Sequence, residues 1–172
     1  TQGPMIEICE KRIANYVGAK YAVAVSSCTA GLHLSYLALG LKKTDEILTS
    51  PITFVSTANA ALFCNASVRF VDINKDTLII DDVKISKILR KRNKIKICVP
   101  VLFAGASDGM EKISKIARQY KKYIVEDAAH GLGGSYLSGE KIGSCKYSDC
   151  TVFSLHPVKS IAAGEGGIIT TN

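Results

Sequence analysis

The sequence predicts an α/β fold of three layers, a mostly parallel sheet flanked by helices. Two observations predict it. Short apolar runs alternate with segments of helical spacing along the chain. The apolar runs carry few polar positions, as strands buried on both faces do. Strand–helix alternation of this kind builds parallel sheets covered by helices. With 172 residues, the chain is long enough for one domain with a substantial core.

The elements follow in order. Tyr21–Val25 (YAVAV) is a short buried strand. Residues 30–41 have helical spacing through Leu34, Leu37 and Leu41. Residues 46–50 form a second strand, and 54–63 a helix with Thr53 near its start. Residues 68–73 are a third strand. Residues 82–92 are a helix bearing Val83, Ile85, Ile88 and Leu89, and 96–101 a fourth strand. Residues 109–122 make a helix that turns Ile113, Ile116 and Ala117 to the core. Tyr123–Asp127, residues 150–155 and Gly167–Thr171 complete the strands. The glycine-rich stretch 131–143 is a loop or small hairpin, read equally well as a border of a site or as a plain turn. No repeat, low-complexity tract or interdomain linker stands out, and no element is assigned before Tyr21.

Composition excludes some function classes. The formal charge is +7, from 22 basic and 15 acidic residues. The cations cluster around Lys84–Lys96 and Lys112–Lys122, on the outer faces and ends of amphipathic helices. No aromatic residues interleave with them, so nucleic-acid binding is not expected. No apolar run is long enough to cross a bilayer, and no secretory signal pattern appears. The six cysteines (Cys9, Cys28, Cys64, Cys98, Cys145, Cys150) form no CxxC pair. They predict neither zinc nor a disulfide framework, but reduced thiols and a cytoplasmic protein.

Three segments could carry chemistry. Ser26-Ser27-Cys28-Thr29-Ala30-Gly31 lies between a strand and a helix. Amides exposed at the helix start would cradle a phosphate; ordinary N-capping by Ser27 or Thr29 is the bland alternative. The segment has neither a Walker lysine nor GxGxxG, so a nucleotide-phosphate fold is not supported. Glu126-Asp127-Ala128-Ala129-His130 ends an apolar strand, where open α/β sheets bind ligands. A carboxylate there could hold magnesium or a protonated heterocycle nitrogen, or merely cap the next turn. Ser154-Leu155-His156-Pro157-Val158-Lys159 precedes Gly164-Glu165-Gly166-Gly167. Lys159 could be a Schiff-base nucleophile; taken alone, a lysine is usually solvated and a histidine such as His156 usually structural.

Read together, these segments resemble the DegT-type aminotransferases, pyridoxal-phosphate enzymes of fold type I that mostly act on nucleotide-linked keto sugars. The resemblance runs over essentially the whole chain. It is carried by TQGPMIEICEKRIANYVGAKYAVAVSSCTAGLHL, DEILTSPITFVSTANA, VRFVDINKDTLIID, VEDAAHGLGG and FSLHPVKSIAAGEGGIITT. The HPVK form is most like the pseudaminic-acid branch, aminotransferases of UDP-4-keto-6-deoxy-N-acetylhexosamine.

The resemblance implies roles. Lys159 matches the lysine that bonds the cofactor and moves protons, and Asp127 the partner of the pyridinium nitrogen. Thr29, Ala30 and Ser154 match phosphate-holding positions. Phe54 matches the aromatic stacked on the ring, and His130 a position near its 3-hydroxyl. His156 and Glu165 border the same region without an assigned role. No metal is implied. The implied partners are a nucleotide-linked keto sugar, the glutamate/2-oxoglutarate pair and a second copy in a homodimer. Residues 1–172 then correspond to a partial cofactor-binding large domain, with a small C-terminal domain outside this fragment. Dehydrating relatives carry histidine in place of the lysine, so Lys159 argues against that branch. A different enzyme on the same scaffold (a dehydratase, an amino-acid-type transaminase or one of other keto-sugar regiochemistry) and a non-catalytic cofactor-binding domain are the competing readings.

Overall fold

A computed structural model describes residues 3–172; Thr1 and Gln2, which open the TQGP motif, lie outside the described residues. Strands β1 (Tyr21–Val25), β2 (Glu46–Thr49), β3 (Ser67–Phe70), β4 (Ile95–Val99), β5 (Tyr123–Asp127), β6 (Cys150–Ser154) and β7 (Gly167–Thr171) form one seven-stranded sheet. Its order is β1-β7-β6-β5-β4-β2-β3. β2 to β6 pair in parallel, whereas β7 runs antiparallel between β1 and β6. The mostly parallel sheet is thus as expected, with one reversed strand.

Helices α1 (Pro4–Val17), α4 (Asp82–Lys91) and α5 (Met110–Gln119) cover one face, and α2 (Cys28–Ala38) and α3 (Ser56–Phe63) the other. Each face has its own apolar cluster. Ile85, Leu89, Met110 and Ile113 pack on Ile95, Ile124 and Phe153. Leu32, Tyr36, Ala60 and Ala61 pack on Ile47, Ile97, Val125 and Val152. Each fully buried aliphatic side chain contributes about 1.5–3 kcal/mol relative to exposure. Because β5 alternates, Ile124 and Glu126 belong to the first face, and Val125 and Asp127 to the second.

Some expectations shift. β1 is not a buried strand but an edge, with Tyr21 and Val23 about half exposed. The unassigned N-terminal stretch forms α1. Pro4 opens it, and Gly18 closes it at φ 78°, its amide donating to Ala14 O at 2.9 Å. α3 starts at Ser56 rather than residue 54, which leaves Phe54 outside the helix and 73% exposed. β3 ends at Phe70; Ile73 instead forms a lone bridge with Ile80. The 131–143 stretch closes as a small hairpin through a Ser135–Lys141 bridge. The outer faces of α4 and α5 carry exposed Lys87, Arg90, Lys91, Lys112 and Lys115, as a solvated face should.

Candidate active site

Two parallel strands and one helix start deliver the site. The C-terminal end of β5 brings Asp127, the end of β6 brings Ser154, and the turn after β6 brings Lys159. α2 presents its N-terminus from the second face. These groups line a single cavity of about 320 Å³, and Phe54, Phe103 and Val158 line it too. Of the residues predicted from sequence, Thr29, Phe54, Asp127, His130, Ser154 and Lys159 are brought together here. Ala30 is not among the lining residues.

The helix start is built as a cradle. Ser27 is the N-cap, with its Oγ accepting the Ala30 amide at 3.1 Å. That bond occupies Ala30, the residue expected to hold phosphate, and Gly31 N donates to Ser27 O at 3.0 Å. Among the described residues no acceptor meets the amides of Cys28 and Thr29. They are orphan donors at the positive end of a helix dipole, where an anion is favoured. Gly167 makes this packing possible. A Cβ there would lie 2.6 Å from the Ser27 carbonyl carbon and 2.7 Å from Cys28 N. The glycine of the GEGG run therefore lets β7 pass directly behind the cradle.

Asp127 is 3% exposed and makes no salt bridge among the described residues. Its Oδ2 accepts from Thr57 Oγ1 at 2.5 Å, and its Oδ1 from the Ala129 amide at 3.2 Å. Burial pushes its carboxyl above the usual range; the Thr57 hydroxyl, the Ala129 amide and then His130 and Lys159 oppose this. Burial likewise raises the Cys28 thiol, with Asp127 adding to the effect, so this cysteine is an inert wall. Glu126 plays no part in the cavity. It points to the first face, where Tyr136 and Thr151 hydroxyls donate to it, and burial pushes its carboxyl up to about 7. The two acids that end β5 thus serve different faces.

Lys159 Nζ lies 2.9 Å from His130 Nε2. The amide of Ala104, in the 3₁₀ turn Phe103–Gly105, donates to His130 Nδ1 at 3.3 Å. With Nδ1 an acceptor, a neutral ring carries its proton on Nε2, which Nζ can accept only as the unprotonated amine, because an ammonium has no lone pair to receive it. Burial and the Lys159 charge lower the His130 pKa, which favours that neutral ring. His156 and Glu165 stand at the rim, 3.6 Å apart and well exposed.

Thr57 and the Phe103–Gly105 turn are site residues that the sequence reading does not single out. For Thr57 the signal is Thr53 one helical turn earlier. For the turn it is only Gly105, because Ala104 adopts φ 53° without being glycine.

Comparison with known proteins follows this geometry. Residues 1–172 match the DegT/DnrJ/EryC1/StrS aminotransferase family from end to end. The chain belongs to that family. It is 39% identical over 172 residues to the UDP-4-amino-4,6-dideoxy-N-acetyl-beta-L-altrosamine transaminase of Campylobacter jejuni, covering 100% of this chain and 45% of the relative. It is 41% identical over 171 residues to the UDP-4-amino-4-deoxy-L-arabinose–oxoglutarate aminotransferase of Shewanella sediminis, covering 99% of this chain and 42% of the relative. Among solved structures it is similar to NtdA from Bacillus subtilis with bound cofactor PMP. There the TM-score is 0.90 at 35% identity, over 99% of this chain and 38% of that one. The chain therefore spans less than half the length of the curated relatives it matches.

Proposed function

We propose that this chain is the cofactor-holding part of a pyridoxal 5′-phosphate-dependent aminotransferase. It moves an amino group from glutamate to the C4 ketone of a nucleotide-linked 4-keto-6-deoxy sugar. The observation that carries the reading is the convergence on one cavity of an amine, a buried carboxylate and orphan amides at a helix start. An anion, a protonated ring nitrogen and an aldehyde would satisfy these three groups, and pyridoxal phosphate has all three. When bound, that cofactor supplies an electron-accepting ring.

The chain's own residues divide the remaining work. Lys159 Nζ would hold the aldehyde carbon of the cofactor and would serve as the base for the proton on the amino donor's Cα. Asp127 holds the proton on the ring nitrogen. The Cys28 and Thr29 amides and the Ser154 hydroxyl hold the phosphate; Ala30 joins them only if Ser27 releases its amide. Phe54 covers one face of the ring, and His130 Nε2 serves the 3-hydroxyl. Together they fix position and charge before chemistry begins.

The relatives' names support the sugar and donor classes: one acts on a 4-amino-4,6-dideoxy sugar nucleotide, the other names oxoglutarate. A role in making surface-glycan sugars, on the pseudaminic-acid branch, is our finer assignment. Six free thiols agree with a cytoplasmic protein. Leu34, Leu37, Leu62 and Phe63, exposed on α2 and α3, agree with a homodimer. Borohydride reduction of the full-length protein with cofactor, followed by peptide mapping, tests the reading. A label on Lys159 is expected; a label elsewhere, or none, rejects it.

A further inference from the structure

Thr57 is the second residue of α3, is fully buried and has a single hydroxyl proton. Its Oγ1 is 2.5 Å from Asp127 Oδ2 and 2.6 Å from Thr53 Oγ1. A carboxylate oxygen can only accept, so the Thr57 proton goes to Asp127. Thr53 must then be the donor to Thr57. The two bonds therefore have one direction, from Thr53 at the cavity wall through Thr57 to Asp127. Such a chain polarises itself, each donor strengthening the next. The backbone of Thr57 is pinned as well. Its carbonyl accepts from the fully buried Tyr36 hydroxyl at 3.1 Å, and its amide donates to Phe54 O at 3.2 Å.

We propose that Thr53 and Thr57 form a one-way hydroxyl chain that holds Asp127 as an oriented carboxylate, which makes Thr57 a positioning residue of the cofactor site. With Oδ2 taken by Thr57, Oδ1 is the oxygen left for the ring nitrogen, steadied by the Ala129 amide. The groups that face Asp127 are Tyr36 and Cys28 from α2, Thr57 from α3, His130 after β5 and Lys159 after β6. Thr57 is the only one of these that donates a hydrogen bond to the side chain. The inference rests on the cofactor-site reading given above.

The test uses full-length protein and measures the dissociation constant for pyridoxal 5′-phosphate as a function of pH. Thr57→Val should weaken binding about tenfold to a hundredfold near neutral pH. It should also move the acid-side loss of binding to higher pH, because the carboxyl protonates sooner. Thr57→Ser should restore both, to within about threefold of the parent. A purely structural role would weaken binding equally at every pH, and Ser would not move the profile back. That result overturns the proposal, as does Thr57→Val binding like the parent. If Thr57→Val does not fold, Thr53→Val carries the same test, with the same shift in the acid limb expected and an unshifted limb overturning it. Asp127→Asn separates the two levels. If that variant binds like the parent, the cofactor-site reading fails; if it is impaired while Thr57→Val is not, only the hydroxyl chain fails.

Discussion

Glu126 should make the protein less stable as pH rises from about 4.5 to 7. The side chain is fully buried on the face away from the cavity, and among the described residues no cation offsets that burial. Tyr136, Thr151 and Ser148 hydroxyls favour its charged form, but burial outweighs them and lifts the carboxyl from 4.5 to about 7. Between those values the folded chain keeps a proton that the unfolded chain has released. Stability from this group is therefore complete below pH 4.5 and lost as pH climbs through 7. At 1.36 kcal/mol per unit of pKa, the loss is roughly 3 kcal/mol. Glu126→Gln keeps the shape and an acceptor while removing the titration. Urea unfolding of full-length parent and variant, without cofactor, at pH 5 and pH 8 reads the difference. Relative to the parent, the variant should gain about 2.5 kcal/mol between the two pH values, because part of the loss is already present at pH 5. Asp127, His130 and the thiols titrate in both proteins and cancel. Parallel losses in parent and variant would refute the reasoning.

Other substitutions probe other parts of the argument. Gly167→Ala puts a methyl against the Ser27 backbone at 2.6 Å; unfolding and cofactor titrations should show a loss of about 1–3 kcal/mol and weaker cofactor binding, since the cradle must shift. Tyr136→Phe deletes a donor to Glu126. It should destabilise by about 1–3 kcal/mol at pH 8 and by less at pH 5, read by the same urea series. Arg118→Ala breaks a two-contact pair with Asp149 at 2.8 and 3.0 Å. The arginine is half exposed, so screening should hold the cost to about 1 kcal/mol or less, with the parent gaining little over the variant at high salt.

The parts legible in the sequence were those where polar residues interrupt an apolar strand. Asp127 is marked by acids that end YIVED and Lys159 by a lysine that follows CTVFS and precedes glycines, whereas the roles expected of them come from the family resemblance. The cradle was found because hydroxyls and small residues separate YAVAV from a helical run. What stayed hidden depends on three dimensions. Thr57 sits inside a helix, where threonine merely lowers helix propensity; its meaning appears only when β5 places Asp127 against it, 70 positions away. The reversed direction of β7 has no local signature, because both directions leave the same buried apolar run. α1 carries a start signal at Pro4 and a stop signal at Gly18, and Ile6, Cys9, Ile13 and Val17 recur between them at helical spacing, so this helix is legible in the sequence.

The two acids that end β5 show why strand alternation matters more here than composition. Both are buried, and burial pushes both upward. Glu126 meets hydroxyls from the hairpin and β6 and no positive charge, and it settles near neutrality as a pH-sensitive strut. Asp127, one residue on, meets a hydroxyl chain, a backbone amide and a cavity that also holds Lys159 and His130. Interchanging their environments by a one-residue slip of β5 would turn the carboxyl aimed at the cavity to the wrong face and strip it of its donors. The register of β5 against β6, Asp127 beside Val152 and Glu126 beside Thr151, is thus as much a part of the site as the side chains themselves.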